Sequence, residues 1–328
     1  MKKLKIGVIG AGHLGKIHIK LLKEIATAEL AAIYDKDKET AEKAGAEIGV
    51  KVAPDLDSFF REVDAVSVVS ATSAHYELVK QCFDNNKHVF VEKPITAKVE
   101  EAEELVKISK EKKLKLQVGH IERFNPALLS VEKFNLDPKF IQTDRLAQFN
   151  PRGTDVAVVL DLMIHDIDII LSLVKSEVKS ISASGVAVVS GSIDIANARL
   201  EFENGAVANV TASRISQKKM RKMRIFQRDA YISLDFNTGV SEVFRLAPPE
   251  EITGSHFSFG EIGVGANKKA IVYEHPEVKE VNALKYELEL FTKTVLEDKK
   301  PVVSGEDGLK ALKVAQEIIT IIENNKII

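Results

Sequence analysis

The sequence predicts an α/β fold in which an N-terminal domain with a parallel sheet precedes a C-terminal α+β domain with a large, mostly antiparallel sheet. Over about the first 120 residues, short apolar runs alternate with amphipathic helical segments, as in strands joined by crossover helices. From about residue 145 the patterning is mostly β. Because 328 residues exceed one ordinary core, we expect domains at 1–123 and 124–328, with the last helices as candidates to pack on the first domain.

The first domain is expected to alternate strands and helices. The strand candidates are LKIGVIG, AELAAIYD, AVSVVSA and KHVFVEKP, and LKLQVGHIERF closes the set. The helices between them are HLGKIHIKLLKEI, KETAEKAGAEIG, AHYELVKQCFDNN and AKVEEAEELVKISKEKK. This alternation predicts parallel strands, because a crossover helix returns the chain to the same edge of the sheet.

The second domain is expected to consist mostly of strands. KSISASGVAVV, DIANARLEFENGAVANVTASR and MRIFQRDAYISLDF are typical of long strands, and Asn204-Gly205 is a dipeptide favoured in type I′ hairpin turns. The polar stretch of residues 247–282 is interpreted as an irregular loop or exposed arm. Two helices follow, NALKYELELFTKTVLEDKK and GEDGLKALKVAQEIITIIENNKII.

Composition and charge exclude several classes of protein. Lys and Arg (46) nearly balance Asp and Glu (48), so we expect neither a nucleic-acid partner nor an anionic membrane. The single cysteine, Cys82, excludes an internal disulfide framework and fits a cytoplasmic location. Glycines interrupt the apolar run of MKKLKIGVIGAG, so no signal peptide or membrane span is expected.

A glycine motif directly follows the first strand and opens the first helix. In Gly10-Ala11-Gly12-His13-Leu14-Gly15, the first glycine permits a tight turn, the second lets backbone approach a pyrophosphate, and the third lets helix and strand pack closely. Asp35 ends the second strand, where this arrangement places the acid that binds the adenosine ribose. The motif predicts a Rossmann dinucleotide-binding domain that prefers NAD, although Lys36 and Lys38 leave NADP open.

A second motif, Glu92-Lys93-Pro94, stands at the end of the fourth predicted strand. Ligands of open α/β sheets bind outside the carboxyl ends of the strands, so Lys93 is placed for chemistry. The proline suits a sharp turn that presents a side chain. A solvated surface charge is the alternative interpretation of Lys93.

Three ionisable residues interrupt the apolar segment VVLDLMIHDIDIIL of residues 158–171. Asp161, His165 and Asp168 are spaced to share one helical face. A neutral histidine suits removal of a hydroxyl proton, whereas a structural hydrogen-bond network explains the same stripe equally well. Asp161 and His165 are also spaced to share a metal ion, but no third ligand has suitable spacing, so no metal is expected.

Together these motifs resemble the glucose-fructose oxidoreductase / inositol dehydrogenase (Gfo/Idh/MocA) family over essentially the whole chain. The resemblance is carried by GVIGAGHLGKIH, VFVEKPIT and the D-x-x-x-H of DLMIHDID. It implies that Lys93 and His165 lie beside the nicotinamide and the reacting sugar carbon, with Asp161 as their acidic companion. This chain departs from the family's frequent A-T-P-N with Ala71-Thr72-Ser73-Ala74. The expected cofactor contacts are Gly10, Gly12, His13, Leu14, Gly15, Asp35, Thr72, His75, Glu92 and Lys93.

Two further stretches, QVGHIERFNPA and NPRGTDVAVVLDLMIHDID, resemble the UDP-N-acetylglucosamine 3-dehydrogenase subgroup of this family. The resemblance implies that a sugar 3-hydroxyl is oxidised to a ketone. SRISQKKMRKMRIF is the most basic segment and suits a diphosphate, because arginine forks bind phosphate well. For its individual lysines, solvated surface charge is the favoured interpretation. The expected substrate contacts are Arg123, Arg152, Asp161 and Arg214.

We therefore expect an NAD-dependent dehydrogenase acting on a CH–OH group, with Lys93, His165 and Asp161 as its catalytic residues. A dehydrogenase of another sugar or polyol, such as an inositol-type enzyme, is one alternative. A dinucleotide-sensing regulator without catalysis is the other. The resemblance also implies that the C-terminal sheet serves substrate and oligomer contacts, so a homodimer or homotetramer is expected.

Overall fold

The computed structural model describes residues 2–150, 156–251, 257–278 and 280–325. The chain divides into two compact units: Met1–Ile121 with Val281–Lys313, and Glu122–Glu280 with Val314–Ile328. A five-stranded sheet forms the first unit and a nine-stranded sheet the second. The predicted fold class, a parallel α/β domain followed by an α+β domain with a mostly antiparallel sheet, is confirmed.

Parallel strands form the sheet of the first unit. They are β1 (Leu4–Ile9), β2 (Ala28–Tyr34), β3 (Ala65–Val68), β4 (His88–Glu92) and β5 (Leu116–Gly119), in the spatial order β2-β1-β3-β4-β5. The chain leaves β1 for β2 on one side and later reaches β3 on the other, so the strand order reverses at β1. Ligands of such sheets bind at this reversal, outside the carboxyl ends of the strands.

Antiparallel pairing dominates the sheet of the second unit. Its strands are β6 (Phe140–Leu146), β7 (Val178–Val186), β8 (Ile195–Phe202), β9 (Val207–Ser213), β10 (Met220–Gln227), β11 (Ala230–Asp235), β12 (Val240–Ala247), β13 (Phe257–Ile262) and β14 (Lys269–Glu274). Their order is β13-β14-β12-β11-β10-β6-β9-β8-β7. Among these described neighbours, β6 and β9 run parallel and the other pairs are antiparallel.

Helices flank both sheets. They are α1 (His13–Glu24), α2 (Lys38–Ile48), α3 (Leu56–Glu62), α4 (His75–Asp84), α5 (Val99–Glu111), α6 (Pro126–Leu129), α7 (Ile164–Val174), α8 (Ala283–Leu296) and α9 (Gly305–Asn324). Although α8 comes late in the sequence, its Leu288 and Phe291 are fully buried in the same cluster as Ile6 and Leu22. The core of the first unit is therefore built from both ends of the chain.

The two faces of the large sheet differ. Ile141, Ile225, Ile232 and Val243 are fully buried on one face. The neighbouring positions put a row of aromatic rings on the opposite face, with centroids of adjacent rings 4.9–5.8 Å apart. This aromatic row consists of Phe140, Phe226, Tyr231, Phe244 and Tyr273, which are cross-strand partners in register. Phe226 remains 38% exposed, so this face is incompletely covered.

Two local predictions in the second unit need correction. The hairpin at Asn204-Gly205 forms, but a positive φ occurs only at Gly205 (+81°), so the turn is not type I′. Gly205 N–H bonds the Phe202 carbonyl, as in a longer loop closed by one left-handed residue. In the described part of residues 247–282, the irregular-loop alternative is wrong, because this part contains β13 and β14; β13 is exposed along its whole length, as the exposed-arm alternative predicts. An exposed strand at the edge of a sheet is rich in polar residues, as a loop is, so composition does not distinguish the two.

In the part of the chain that the structure describes, no helix combines the length and the apolar character needed to cross a bilayer.

Candidate active site

The glycine motif forms the turn between β1 and α1. Gly10 has φ +100°, and a Cβ there would lie 2.5 Å from the carbonyl oxygen of Val69. A Cβ on Gly15 would lie 1.9 Å from the carbonyl oxygen of Gly10, so both positions require glycine. Gly12 differs, since nothing lies within 4 Å of its Cβ position. The backbone at Gly12 therefore borders open space at the start of α1, where a pyrophosphate can reach the helix N–H groups.

Asp35 lies beside this turn. Its Oδ2 accepts the N–H of Ala11 at 2.7 Å, and its Oδ1 accepts the N–H of Asp37 at 2.9 Å. These bonds hold the carboxylate next to the glycine motif, where a ribose hydroxyl can donate to it. His13 and Leu14 are exposed at the start of α1, and Lys36 is exposed beside Asp35.

The Glu92 carboxylate is held by residues that sequence reasoning did not connect with it. Its Oε1 lies 3.1 Å from Nε2 of His18, whose Nδ1 lies 3.0 Å from Oγ of Ser67. Its Oε2 accepts the N–H of Lys93 at 3.3 Å. Gly119, opposite Glu92 in the sheet, leaves room for this carboxylate, since a Cβ would lie 3.0 Å from it. The Glu92-Lys93 turn is thus braced before any ligand binds.

His75 braces the loops that follow β3 and β4. Its Nδ1 lies 2.9 Å from the carbonyl oxygen of Pro94, and its Nε2 lies 3.1 Å from that of Ser70. Burial lowers the pKa of His75, so the neutral ring donates to one carbonyl at a time. The sequence predicts a cofactor contact for His75 and Thr72, and this stays a prediction. Both ring nitrogens of His75 contact carbonyl groups of the protein's own loops. Thr72 begins the short 3₁₀ turn Thr72–Ala74.

Asp161 and His165 lie where the helical segment of the second unit changes geometry. Val159–Met163 forms a π-helical turn that runs into α7 at Ile164. Such turns occur often at functional sites and cannot be read from apolar periodicity. Asp161 and His165 are both partly exposed, whereas their neighbour Met163 is fully buried.

The acids next to His165 in the sequence serve a buried ion-pair network. Arg145 binds Asp166 through two bonds of 2.8 Å and Glu122 through one of 2.8 Å, and all three side chains are at most 8% exposed. Arg123 binds Asp168 through two bonds of 2.7 Å. The structural interpretation of the polar stripe therefore holds for Asp168. Arg123 was a predicted substrate contact, and its guanidinium is engaged by Asp168.

A cavity of about 550 Å³ opens in the second unit. Its lining residues are Ala147, Gln148, Phe149, Asn150, Asp161, Leu162, Arg214, Lys219 and Arg221. Arg214 is 5% exposed, and its Nη2 donates to the carbonyl oxygens of Val156 and Ile193. Its Nε lies 3.5 Å from Oδ1 of Asp194. Arg214 therefore borders the cavity while much of its guanidinium holds the surrounding backbone.

The predicted residues thus form groups within each unit. The glycine motif and Asp35 adjoin each other, and Lys93 follows β4, which is separated from β1 by β3 in the same sheet. In the second unit, Asp161 and Arg214 line one cavity. Arg152 lies outside the described residues. Across the described ranges, no three His, Cys, Asp or Glu side chains are grouped to hold a metal ion.

Comparison with known proteins identifies the family. Residues 4–120 match the oxidoreductase family with an NAD-binding Rossmann fold, and residues 135–233 match the GFO/IDH/MocA C-terminal domain. A UDP-N-acetylglucosamine 3-dehydrogenase of Acidithiobacillus ferrooxidans is 33% identical over 326 residues, 98% of each chain. This chain belongs to the Gfo/Idh/MocA oxidoreductase family. The predicted family and its NAD cofactor are confirmed.

A solved structure and one further relative place the chain within the family. The solved structure of the Acidithiobacillus ferrooxidans enzyme superposes with a TM-score of 0.88 at 32% identity, covering 99% of both chains. A myo-inositol 2-dehydrogenase of Thermotoga maritima is 29% identical over 94% of this chain and 93% of its own. This Gfo/Idh/MocA protein is therefore an NAD-binding oxidoreductase with relatives that are named as dehydrogenases.

Proposed function

We propose that this protein oxidises the 3-hydroxyl of UDP-N-acetylglucosamine and transfers the hydride to NAD. The observation that carries this proposal is the cavity of the second unit, which Asp161 lines four residues before His165. Its volume of about 550 Å³ lies in the usual range for small-molecule sites. The full-length likeness to an enzyme of that name supports the choice of substrate.

Each candidate catalytic residue has one role. His165 removes the proton from the sugar hydroxyl, because a neutral imidazole is a suitable base near pH 7. Lys93 binds the same oxygen and stabilises its developing negative charge. Asp161 orients the substrate or the imidazole ring. NAD, when bound, supplies the hydride acceptor.

The first unit holds the cofactor in this proposal. Backbone N–H groups at Gly12 and the start of α1 bind the pyrophosphate, and Asp35 accepts hydrogen bonds from the adenosine ribose. The Asp35 carboxylate disfavours a 2′-phosphate, so NAD is preferred over NADP. Glu92, held by His18, fixes the turn that presents Lys93.

An inositol-type dehydrogenase is the second candidate. It is favoured by the 29% identity to the myo-inositol 2-dehydrogenase over 94% of this chain. The inositol-type function requires that a free polyol is turned over and that a diphosphate on the substrate adds nothing to its binding.

The test of the main proposal is the absorbance of reduced nicotinamide. Purified protein is mixed with NAD and UDP-N-acetylglucosamine, with an amine donor and an aminotransferase to remove the ketone. We expect Lys93→Ala and His165→Ala to lower turnover by about a hundred-fold or more, the usual size for acid–base groups. NAD affinity should survive both changes.

Matched controls are Lys98→Ala and His275→Ala, because both side chains are exposed and neither is assigned a role. If the two candidate variants and the controls turn over alike, the catalytic assignment is wrong. If only a free polyol is oxidised, the inositol-type function replaces the first. NAD binding without turnover of any sugar, sugar nucleotide or polyol supports the regulator instead.

We also propose that the protein acts in the cytoplasm as a homodimer or homotetramer. The incompletely covered aromatic row supports self-association through the sheet of the second unit. Cys82 is buried, and burial raises the pKa of its thiol, which suits a structural cysteine in a reducing compartment.

A further inference from the structure

The cationic side chains of the basic segment SRISQKKMRKMRIF do not all lie on the same side of the sheet. Side chains alternate between the faces of a strand, so residues 221, 223 and 225 share one face of β10. Met223 and Ile225 on that face are fully buried. Arg221 continues this face, and Lys219 directly precedes β10; both line the cavity next to Asp161. Lys222 points to the other face, where it lies 3.6 Å from Asp235.

Arg221 is positioned by groups that leave part of its guanidinium accessible. Its Nη1 lies 3.3 Å from Oε1 of Glu122, and 47% of its side chain is exposed. Glu122 is itself fixed, because Oε1 accepts a 2.8 Å bond from Arg145 and Oε2 accepts a 3.1 Å bond from Asn125. A guanidinium held on one edge loses little side-chain entropy when its other N–H groups bind an anion.

Lys219 adds a second positive charge to the same wall. It is exposed, and no carboxylate of the described residues lies within ion-pair distance of it. Arg214, by contrast, is buried, with Asp194 3.5 Å from its Nε and two backbone carbonyls on its Nη2. The uncommitted charge of the cavity therefore comes from Lys219 and Arg221, and not from the arginine that the sequence favoured.

We infer that Lys219 and Arg221 bind the diphosphate of a nucleotide-sugar substrate and thereby set the specificity of the enzyme for activated over free sugars. The inference rests on the proposed function, since it assigns the diphosphate of that substrate to one wall of the cavity. A planar guanidinium beside an ammonium group is the donor set that two adjacent phosphates recognise. Asp161 on the same cavity then faces the sugar end of the substrate.

The test is calorimetric binding of UDP to the full-length protein, with the dinucleotide site saturated with NAD so that UDP cannot occupy it. UDP carries the diphosphate but needs no turnover. We expect Lys219→Gln and Arg221→Gln each to weaken UDP binding about ten-fold or more, the loss expected when a hydrogen bond to a charged group is removed. The same changes should raise the KM for UDP-N-acetylglucosamine by a similar factor.

Lys222→Gln is the matched control, because it removes a cation from the same strand on the opposite face. Lys219→Gln keeps the test valid if Arg221→Gln disturbs folding through Glu122. If UDP binds the variants as tightly as the wild type, the inference is wrong and the proposed function survives through its turnover. If the wild-type protein binds no UDP and leaves UDP-N-acetylglucosamine unreacted, both the inference and the proposed function are wrong.

Discussion

The three glycines of the motif have different physical requirements, in line with the separate roles that the sequence predicts for them. Gly10 and Gly15 are required by the fold, because added Cβ atoms would meet backbone atoms at 2.5 and 1.9 Å. Gly12 has no such neighbour within 4 Å. A glycine at position 12 is therefore explained by the approach of a pyrophosphate from solvent, which is the role of the second glycine in a dinucleotide-binding turn.

Gly12→Ala is expected to fold like the wild type but to bind NAD about ten-fold or more weakly, because the methyl group displaces the pyrophosphate from the N–H groups. Calorimetric titration with NAD and the thermal unfolding midpoint measure the two effects. Gly191→Ala is the control, since its Cβ also meets nothing within 4 Å and Gly191 belongs to the second unit. An unchanged NAD affinity in Gly12→Ala would contradict the cofactor assignment.

Buried ion pairs, as well as apolar packing, position helices and strands relative to one another. Helix α7 carries His165 and is tied to β6 by the Arg145–Asp166 pair, which is 2% exposed on both sides. Breaking one partner of such a pair leaves an uncompensated charge in the core. The network therefore keeps the start of α7 in one place.

Arg145→Met should lower the free energy of unfolding by about 3–5 kcal/mol, because it removes the cation that pairs with the buried carboxylate of Asp166 and the shorter of the two ion pairs of Glu122. Denaturant unfolding followed by circular dichroism gives the value. Arg199→Met, at the exposed pair of Arg199 with Glu201, should cost less than about 1 kcal/mol. Equal losses in the two variants would mean that burial does not determine the strength of these pairs.

The turn between β7 and β8 is organised by one carboxylate. Burial raises the pKa of Asp194, but bonds from the Ser190 hydroxyl and from the N–H groups of Ser190, Val189 and Val188 outweigh it and hold the pKa well below the usual range. A depressed pKa means that the carboxylate stabilises the fold above its unfolded pKa of about 4. That contribution is lost as the pH falls toward the lower folded value.

Asp194→Asn should therefore be less stable than the wild type at pH 7, and the difference should shrink as the pH falls below about 4. Urea unfolding of the wild type and Asp194→Asn between pH 7 and about 3 tests the prediction. The other carboxylates titrate alike in both proteins, so the difference in stability reports on Asp194. A difference that stays constant from pH 7 to about 3 would show that the charge of Asp194 is not what stabilises the turn.

In the whole molecule, the predicted cofactor residues belong to the first unit and the cavity to the second. The sheet of the second unit also has a face that the described chain leaves partly bare. Phe259 extends the aromatic row, with its ring 5.9 Å from those of Phe244 and Tyr273, and it is 62% exposed. Exposed aromatic clusters of this kind mark interaction surfaces.

Phe259→Lys is expected to shift the protein toward smaller species in sedimentation-velocity experiments, because a charge on the aromatic row opposes its burial against a second copy. Val302→Lys is the control, since Val302 is 49% exposed and belongs to the first unit. A wild-type protein that sediments as a monomer at micromolar concentration would contradict self-association through this face.

The amino-acid sequence alone predicts the fold class, the dinucleotide-binding turn and the family, because these depend on local patterns: apolar periodicity, glycine spacing and the Glu92-Lys93-Pro94 turn. Which charged residues have buried partners is visible in the folded chain and not in the local sequence pattern. Arg123 and Arg214 were predicted to contact the substrate, and buried aspartates pair with both; Arg214 still lines the cavity, together with Lys219 and Arg221. The role of an ionisable side chain depends on its solvation and its partners, which distant parts of the chain supply.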